Sequence, residues 1–217
     1  MTALLVVAKS PVPGQVKTRL CPPATPERAA DIAAACLLDT LEAVRATPGV
    51  RPVVAMTGSL DAARRSVELR SQLRECLVIE QRGNGFPARL AAAHADAAAR
   101  FPGRPVLQIG MDTPQLTPEV LTEACAGLER TEAVFGPADD GGWWAIGFPD
   151  PRAAALLADV PTSLGDTGDR TRKALADNGL RVHELREMTD VDTIADARAV
   201  SALAPRGRFA AALGGLR

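Results

Sequence analysis

Aromatic residues make up only 3% of the 217 positions, and tyrosine is missing altogether. With 47% hydrophobic residues, the core must be built from Ala, Leu and Val. Such a core suits helices stacked on a parallel sheet, not a carbohydrate-binding β-sandwich with aromatic platforms. An excess of one charge is also missing. The net charge is −1, and outside one loop the basic residues are dispersed, so nothing indicates a nucleic-acid surface. Cysteine occurs four times, at Cys21, Cys36, Cys76 and Cys125, without a C-x-x-C pair. That spacing indicates neither a zinc knuckle nor a redox pair, and it suits a reducing cytoplasm. Long apolar runs are absent. Ala3–Ala8 is too short for a membrane span or a signal-peptide core, and no basic segment precedes it. His94 and His183 belong to no Ser-His-Asp or Cys-His set and read as structural or surface residues.

Short apolar runs alternate with Ala/Leu-rich helical stretches. The pattern predicts strands at Ala3–Ala8, Pro52–Met56, Leu77–Glu80, Val106–Gly110, Ala133–Gly136, Trp143–Gly147 and Leu180–Leu185. Helices are predicted from Thr25-Pro26-Glu27 to Arg45, from Asp61 to about Arg74, and from Pro87 to about Arg100. Others start at Thr117-Pro118-Glu119, with Thr117 as N-cap, and run over Asp166–Asp177 and Thr193–Leu203. The alternation implies βαβ units and a three-layer α/β/α sandwich with a mostly parallel sheet. Two strands without a helix between them, in Ala133–Gly147, imply an antiparallel insertion. No repeat or linker divides the chain, so residues 1–204 read as one domain. The Gly/Arg/Ala-rich residues 205–217 read as a poorly ordered tail.

Four segments carry chemistry. The first strand runs into Lys9-Ser10-Pro11-Val12-Pro13-Gly14-Gln15-Val16-Lys17-Thr18-Arg19-Leu20. Its ending resembles a Walker A loop but lacks the earlier glycine and the glycine directly before lysine, and no Rossmann fingerprint is present. The segment reads as another kind of phosphate cradle. Pro11 and Pro13 stiffen it, Gly14 admits close backbone approach, and Lys9, Lys17 and Arg19 supply positive charge. The alternative is a solvated loop. In Gln108–Leu116, Asp112 stands at the carboxyl tip of a strand, as a hard oxygen ligand for a divalent cation or as the start of a turn before Pro114. In Gly136–Gly147, Asp139-Asp140-Gly141-Gly142 signals a turn. Trp143 and Trp144 follow it, as a pocket wall or as anchors to the core. In Thr189–Thr193, Asp190 and Asp192 alternate. They could complete a metal site with Asp112, or serve the dipole of the helix that Thr193 caps.

Together, A-K-S-P-V-P-G-Q-V-K-T-R-L (8–20), I-G-M-D-T-P-Q-L (109–116), G-P-A-D-D-G-G-W-W-A-I-G (136–147) and D-V-D-T (190–193) resemble the DUF2064 family. The resemblance covers residues 3 to about 203. It implies a GT-A-type nucleotide-diphospho-sugar transferase fold, related to the nucleotidyltransferases of molybdenum-cofactor and 2-phospholactate chemistry. By this resemblance Ala8, Lys9, Pro13, Gly14, Lys17, Arg19, Arg89 and Gly110 surround the nucleotide. Asp112, with Asp190 and Asp192, binds Mg²⁺ or Mn²⁺. Asp140, Gly141, Gly142, Trp143 and Trp144 face the sugar or acceptor. Lys17, Asp112 and Asp140 are the candidate catalytic residues, with Asp140 as general base. The chain departs from the pattern with Trp143-Trp144 where the family often has tyrosine, and with Gly85-Phe86-Pro87-Ala88-Arg89 in place of a G-D-L-G-E-R-like segment.

The implied activity is metal-dependent glycosyl transfer from a nucleotide-diphospho-sugar to a small-molecule acceptor. Nucleotidyl transfer from an NTP to a phosphorylated small molecule, with pyrophosphate release, fits the same residues. So does a non-catalytic nucleotide-binding module.

Overall fold

Seven strands form one sheet: β1 (Thr2–Lys9), β2 (Val50–Thr57), β3 (Leu77–Glu80), β4 (Val106–Ile109), β5 (Ala133–Pro137), β6 (Trp143–Phe148) and β7 (Val182–Glu184). They lie in the order β3-β2-β1-β4-β6-β5-β7, and β6 alone runs against the others. The expected antiparallel element is therefore β6, inserted between β4 and β5. The computed structural model describes residues 1–214 and residue 216.

The helices are α1 (Pro26–Ala46), α2 (Ser66–Leu73), α3 (Phe86–Arg100), α4 (Pro118–Gly127), α5 (Thr167–Asp177), α6 (Ile194–Leu203) and α7 (Arg208–Leu213). The capping signals act as expected. The side-chain oxygens of Thr25, Thr117 and Thr193 accept the backbone N–H of Arg28, Val120 and Asp196, and Asp196 closes a capping box with Thr193. The second helix starts at Ser66, not at Asp61. Asp61 is held by Ser59 and Arg70, and the chain turns through a left-handed Arg65 that pairs with Asp31 before the helix begins.

Helices α1, α2 and α4 bury one face of the sheet. Helices α3 and α5, with the 3-10 segment Pro151–Asp159, bury the other. Helix α1 is enclosed on a second side by α6 and α7, which explains why thirteen of its 21 residues are buried and why so many are alanine. The segment from Pro205, expected to be poorly ordered, forms α7 because Phe209 anchors it with no exposed surface. Residues 215 and 217 of that segment lie outside the described residues. No described helix is long and apolar enough to cross a membrane.

Strand β1 is continuously buried from Thr2 to Ala8, as befits a central strand covered on both faces. The chain moves outward from β1 to β2 and β3, then crosses back to β4 on the other side of β1. Such a reversal opens a crevice between the carboxyl ends of the two diverging strands. The loops after β1 and β4 border it.

Candidate active site at the carboxyl edge of the sheet

A cleft of about 700 Å³ lies at this reversal. The loop after β1 is fixed by its own backbone and by its neighbours. Ser10 N donates to Thr57 O, Ser10 Oγ donates to Ser59 O at 2.6 Å, and Arg64 N donates to Pro11 O. Gly14 (φ +76°) turns the loop, and Lys17 follows in a left-handed conformation at φ 46°. A lysine there is strained, and the strain persists because the side chain is held at its far end. Its Nζ donates to Asp112 Oδ2 at 2.6 Å and to Asp192 Oδ1 at 2.7 Å. Arg19 reaches the other oxygen of Asp192 at 3.2 Å.

The two carboxylates come from distant parts of the chain. Val191 N donates to Asp112 O, and Gln115 Nε2 donates to Thr189 O, so segment 189–192 is laid against the tip of β4. Gly110 gives the Asp112 side chain its room, since a Cβ at that position would lie 2.7 Å from Asp112 Oδ1. A side chain two residues before Asp112 would push that carboxylate aside. Asp190 points into the same group and accepts from Thr113 Oγ1 at 3.3 Å.

The charges are coupled. Burial alone would pull the Lys17 ammonium down, but Asp112 and Asp192 outweigh it and hold it above its ordinary value. Burial would push Asp192 up, yet Lys17 and Arg19 hold it down. Asp190 is raised well above the carboxylate range, first by burial and then by Asp112. One buried cation thus faces three carboxylates.

Of the residues singled out from the sequence, Ala8, Lys9, Lys17, Arg19, Arg89, Gly110, Asp112, Asp140, Gly142, Trp143, Asp190 and Asp192 line the cleft. Lys9 Nζ donates to Gln15 O at 2.8 Å, and Asp140 Oδ1 accepts Gly142 N–H at 2.7 Å. Four do not line it. Pro13 and Gly14 shape the loop from outside, and Gly141 is pressed against Gly165 in the turn, where a Cβ would lie 1.9 Å from the Gly165 carbonyl oxygen. Trp144 corrects the expectation of a two-tryptophan wall. Neighbours on a strand point to opposite faces. Trp143 faces the α3 side and borders the cleft, whereas Trp144 is 1% exposed in the core on the α1 side and donates through Nε1 to Arg186 O.

The structure adds residues that the motifs missed. Gln81 spends both amide N–H groups on the carbonyls of Ala8 and Ala55, at 2.8 Å each, which fixes its orientation at the tip of β1. Gln108, on β4, lines the cleft from below, and residues 162–165 form a lip. An isolated glutamine within a strand or just past its end carries no motif, so only position reveals these two.

Solved structures share this architecture. A candidate nucleotide-diphospho-sugar transferase from Desulfovibrio desulfuricans G20 superposes with a TM-score of 0.86 at 24% identity, over 98% of this chain and 94% of that one. CMP:2-keto-3-deoxy-manno-octonic acid synthetase complexed with CTP gives 0.57 at 12% identity, over 94% of this chain and 98% of that one. Rv0371c of Mycobacterium tuberculosis H37Rv complexed with manganese gives 0.51 at 21% identity, over 92% and 98%. At these identities the likeness is one of fold. No curated protein matches the sequence. The model of the DUF2064 family, described as uncharacterized proteins conserved in bacteria, matches residues 40–164, more than half of the chain. The chain belongs to the DUF2064 family.

Proposed function

We propose that this chain is a transferase that takes a nucleotide-diphospho-sugar as donor and uses Mg²⁺ or Mn²⁺. The observation that carries the reading is the buried Lys17, which joins the stiff loop after β1 to Asp112 and Asp192 in one cleft. Lys17 and Arg19 would neutralise the diphosphate, and Lys9 and Arg89 would border the nucleotide. Asp140, oriented by the Gly142 N–H, would accept the proton of the acceptor hydroxyl through its free oxygen. Trp143 would wall the sugar side. The free cysteines support a reducing, cytoplasmic setting.

The donor set suits a hard divalent cation. Three carboxylates converge, and Asp190 is raised by burial and by its neighbours, so the group is short of positive charge. Among the described residues no three His, Cys, Asp or Glu side chains form a ready cage, and the Lys17 ammonium stands between Asp112 and Asp192. Asp112, Asp190 and Asp192 would hold the cation once Lys17 turns its ammonium from them to the diphosphate. When bound, the cation offsets the charge that develops on the leaving diphosphate.

Nucleotidyl transfer is the second reading. It is favoured by the likeness of fold to a CTP-bound synthetase and by the cationic loop, which suits a triphosphate. Calorimetry with Mn²⁺ and a panel of NTPs and UDP-, GDP- and dTDP-sugars tests both. Binding and turnover of a nucleotide-sugar is the expected result. An NTP that yields pyrophosphate while no nucleotide-sugar binds would reject the first reading for the second. Binding without turnover across many acceptors would point to a nucleotide-binding module.

A further inference from the structure

Strand β4 is buried at all four positions. Val106 joins the core on the α3 side, and Leu107 and Ile109 join the core on the α1 side. By the same alternation Gln108 faces the α3 side, in register with Leu5 of β1 and Ile146 of β6. Both of these neighbours belong to the apolar core. Gln108 is 1% exposed, and its Oε1 has no hydrogen-bond partner among the described residues. An unpartnered buried amide destabilises a fold, and an apolar side chain of the same size would serve the core better. Gln108 nevertheless borders the cleft, together with Val7, Leu90, Arg89 and Trp143. Gln108 therefore belongs both to this core and to the floor of the space that a ligand enters.

We propose that Gln108 is a specificity residue that reads hydroxyl groups on the sugar of the bound donor. The inference rests on the transferase reading above. A carboxamide offers one acceptor oxygen and two N–H donors, the complement of a pair of hydroxyls. Trp143 lies on the same face of the sheet and supplies a ring for the apolar side of a sugar. This lobe is built from β4 and β6, across the sheet edge from Gln81 and Thr57, which border the cleft at β3 and β2. A donor whose diphosphate lies at Lys17 would thus place its two ends in different lobes. A site that hydrogen-bonds a hydroxyl discriminates strongly against ligands lacking it, because its own polar group is left unpaired.

The test compares wild type with Gln108→Met, which keeps length and removes the amide, and with Gln108→Leu as a second apolar variant. Calorimetry measures Kd for UDP, GDP and dTDP and for UDP-glucose, GDP-mannose and dTDP-glucose. Wild type should bind one conjugate more tightly than its parent nucleotide by about tenfold, the worth of one buried hydrogen bond. In both variants that preference should collapse to about twofold or less, with the parent Kd unchanged within about the same factor. The melting temperature of the ligand-free variants should rise by about 2–4 °C, since the unpartnered amide is gone. An unchanged preference, no preference in wild type, an equal loss for parent and conjugate, or a lower melting temperature would each overturn the assignment while leaving the transferase reading intact. A wild type that binds none of the nucleotides would overturn both.

Discussion

Replacing Lys17 by methionine tests the ion cluster most directly. The change removes the ammonium and keeps most of the side-chain volume. The Lys17 side chain is 11% exposed, and those of Asp112 and Asp192 are 26% and 35% exposed. Stripping one partner from a fully buried pair costs about 3–5 kcal/mol. Here the carboxylates keep contact with water, so the cost falls to about 2 kcal/mol. For a chain of this size the melting temperature should drop by about 4–8 °C. Metal affinity should move the other way. At the proposed site a divalent cation would have to take Asp112 and Asp192 from Lys17 in wild type, and that competition would weaken it by the strength of the ion pair. About 2 kcal/mol corresponds to roughly thirtyfold in Kd. Titration of free Mn²⁺ into the nucleotide-free protein, followed by electron paramagnetic resonance, should therefore show Lys17→Met binding about thirtyfold more tightly than wild type. A variant that is less stable and binds Mn²⁺ no better, or more weakly, would refute the competition.

Other consequences can be measured separately. Burial holds His94 down to about 3, so folding keeps it neutral while the unfolded chain takes up a proton below about 6.5. The contribution of His94 to stability should thus be intact above pH 6.5 and fall by about 1.4 kcal/mol per unit as the pH drops towards 3, opposed by Asp190, which burial keeps protonated in the fold. In denaturant melts from pH 7 to pH 5, wild type should lose stability relative to His94→Leu by this slope, the Asp190 contribution being common to both; parallel profiles would contradict the assignment. Gly110→Ala should displace the Asp112 carboxylate and weaken Mn²⁺ binding in the presence of nucleotide by about tenfold, with little loss of stability. A variant that matches wild-type calorimetry would show that the room left at Gly110 is incidental. Trp144→Ala should cost about 3–5 kcal/mol in denaturant melts, whereas Trp143→Ala should cost much less and act on ligand binding. The reverse pattern would exchange the roles assigned to the two tryptophans.

Much of the fold was legible because local chemistry and tertiary structure agree. Thr25, Thr117 and Thr193 cap the helices they announce, and the strand Leu77–Glu80 falls where the pattern puts it. Misreadings arose where a side chain had a partner far away in sequence. Asp61 has the composition of a helix start, but its carboxylate is taken by Ser59 and Arg70. The segment after Pro205 has the composition of a tail, but one phenylalanine finds a cavity made by α1 and α6. At the site, the charged residues were legible as types in order. That Asp190 and Asp192 join Asp112 was an expectation; that the Lys17 ammonium stands between Asp112 and Asp192 was not, because it depends on the backbone bond from Val191 to Asp112. Gln108 was invisible because a strand buried on both faces has no polar alternation to interrupt.

The bond from Lys17 to Asp192 spans 175 residues. During synthesis the loop after β1 emerges early, and its second carboxylate is among the last parts of the fold to appear. A nascent chain lacking residues 190–192 would expose a strained, half-paired lysine and would have no complete cation cluster. Contacts of such long range are formed late and slow the approach to the native state. The cluster can therefore exist only in a chain that has nearly finished folding, so ligand capture by this cleft would also report that the whole sheet has closed.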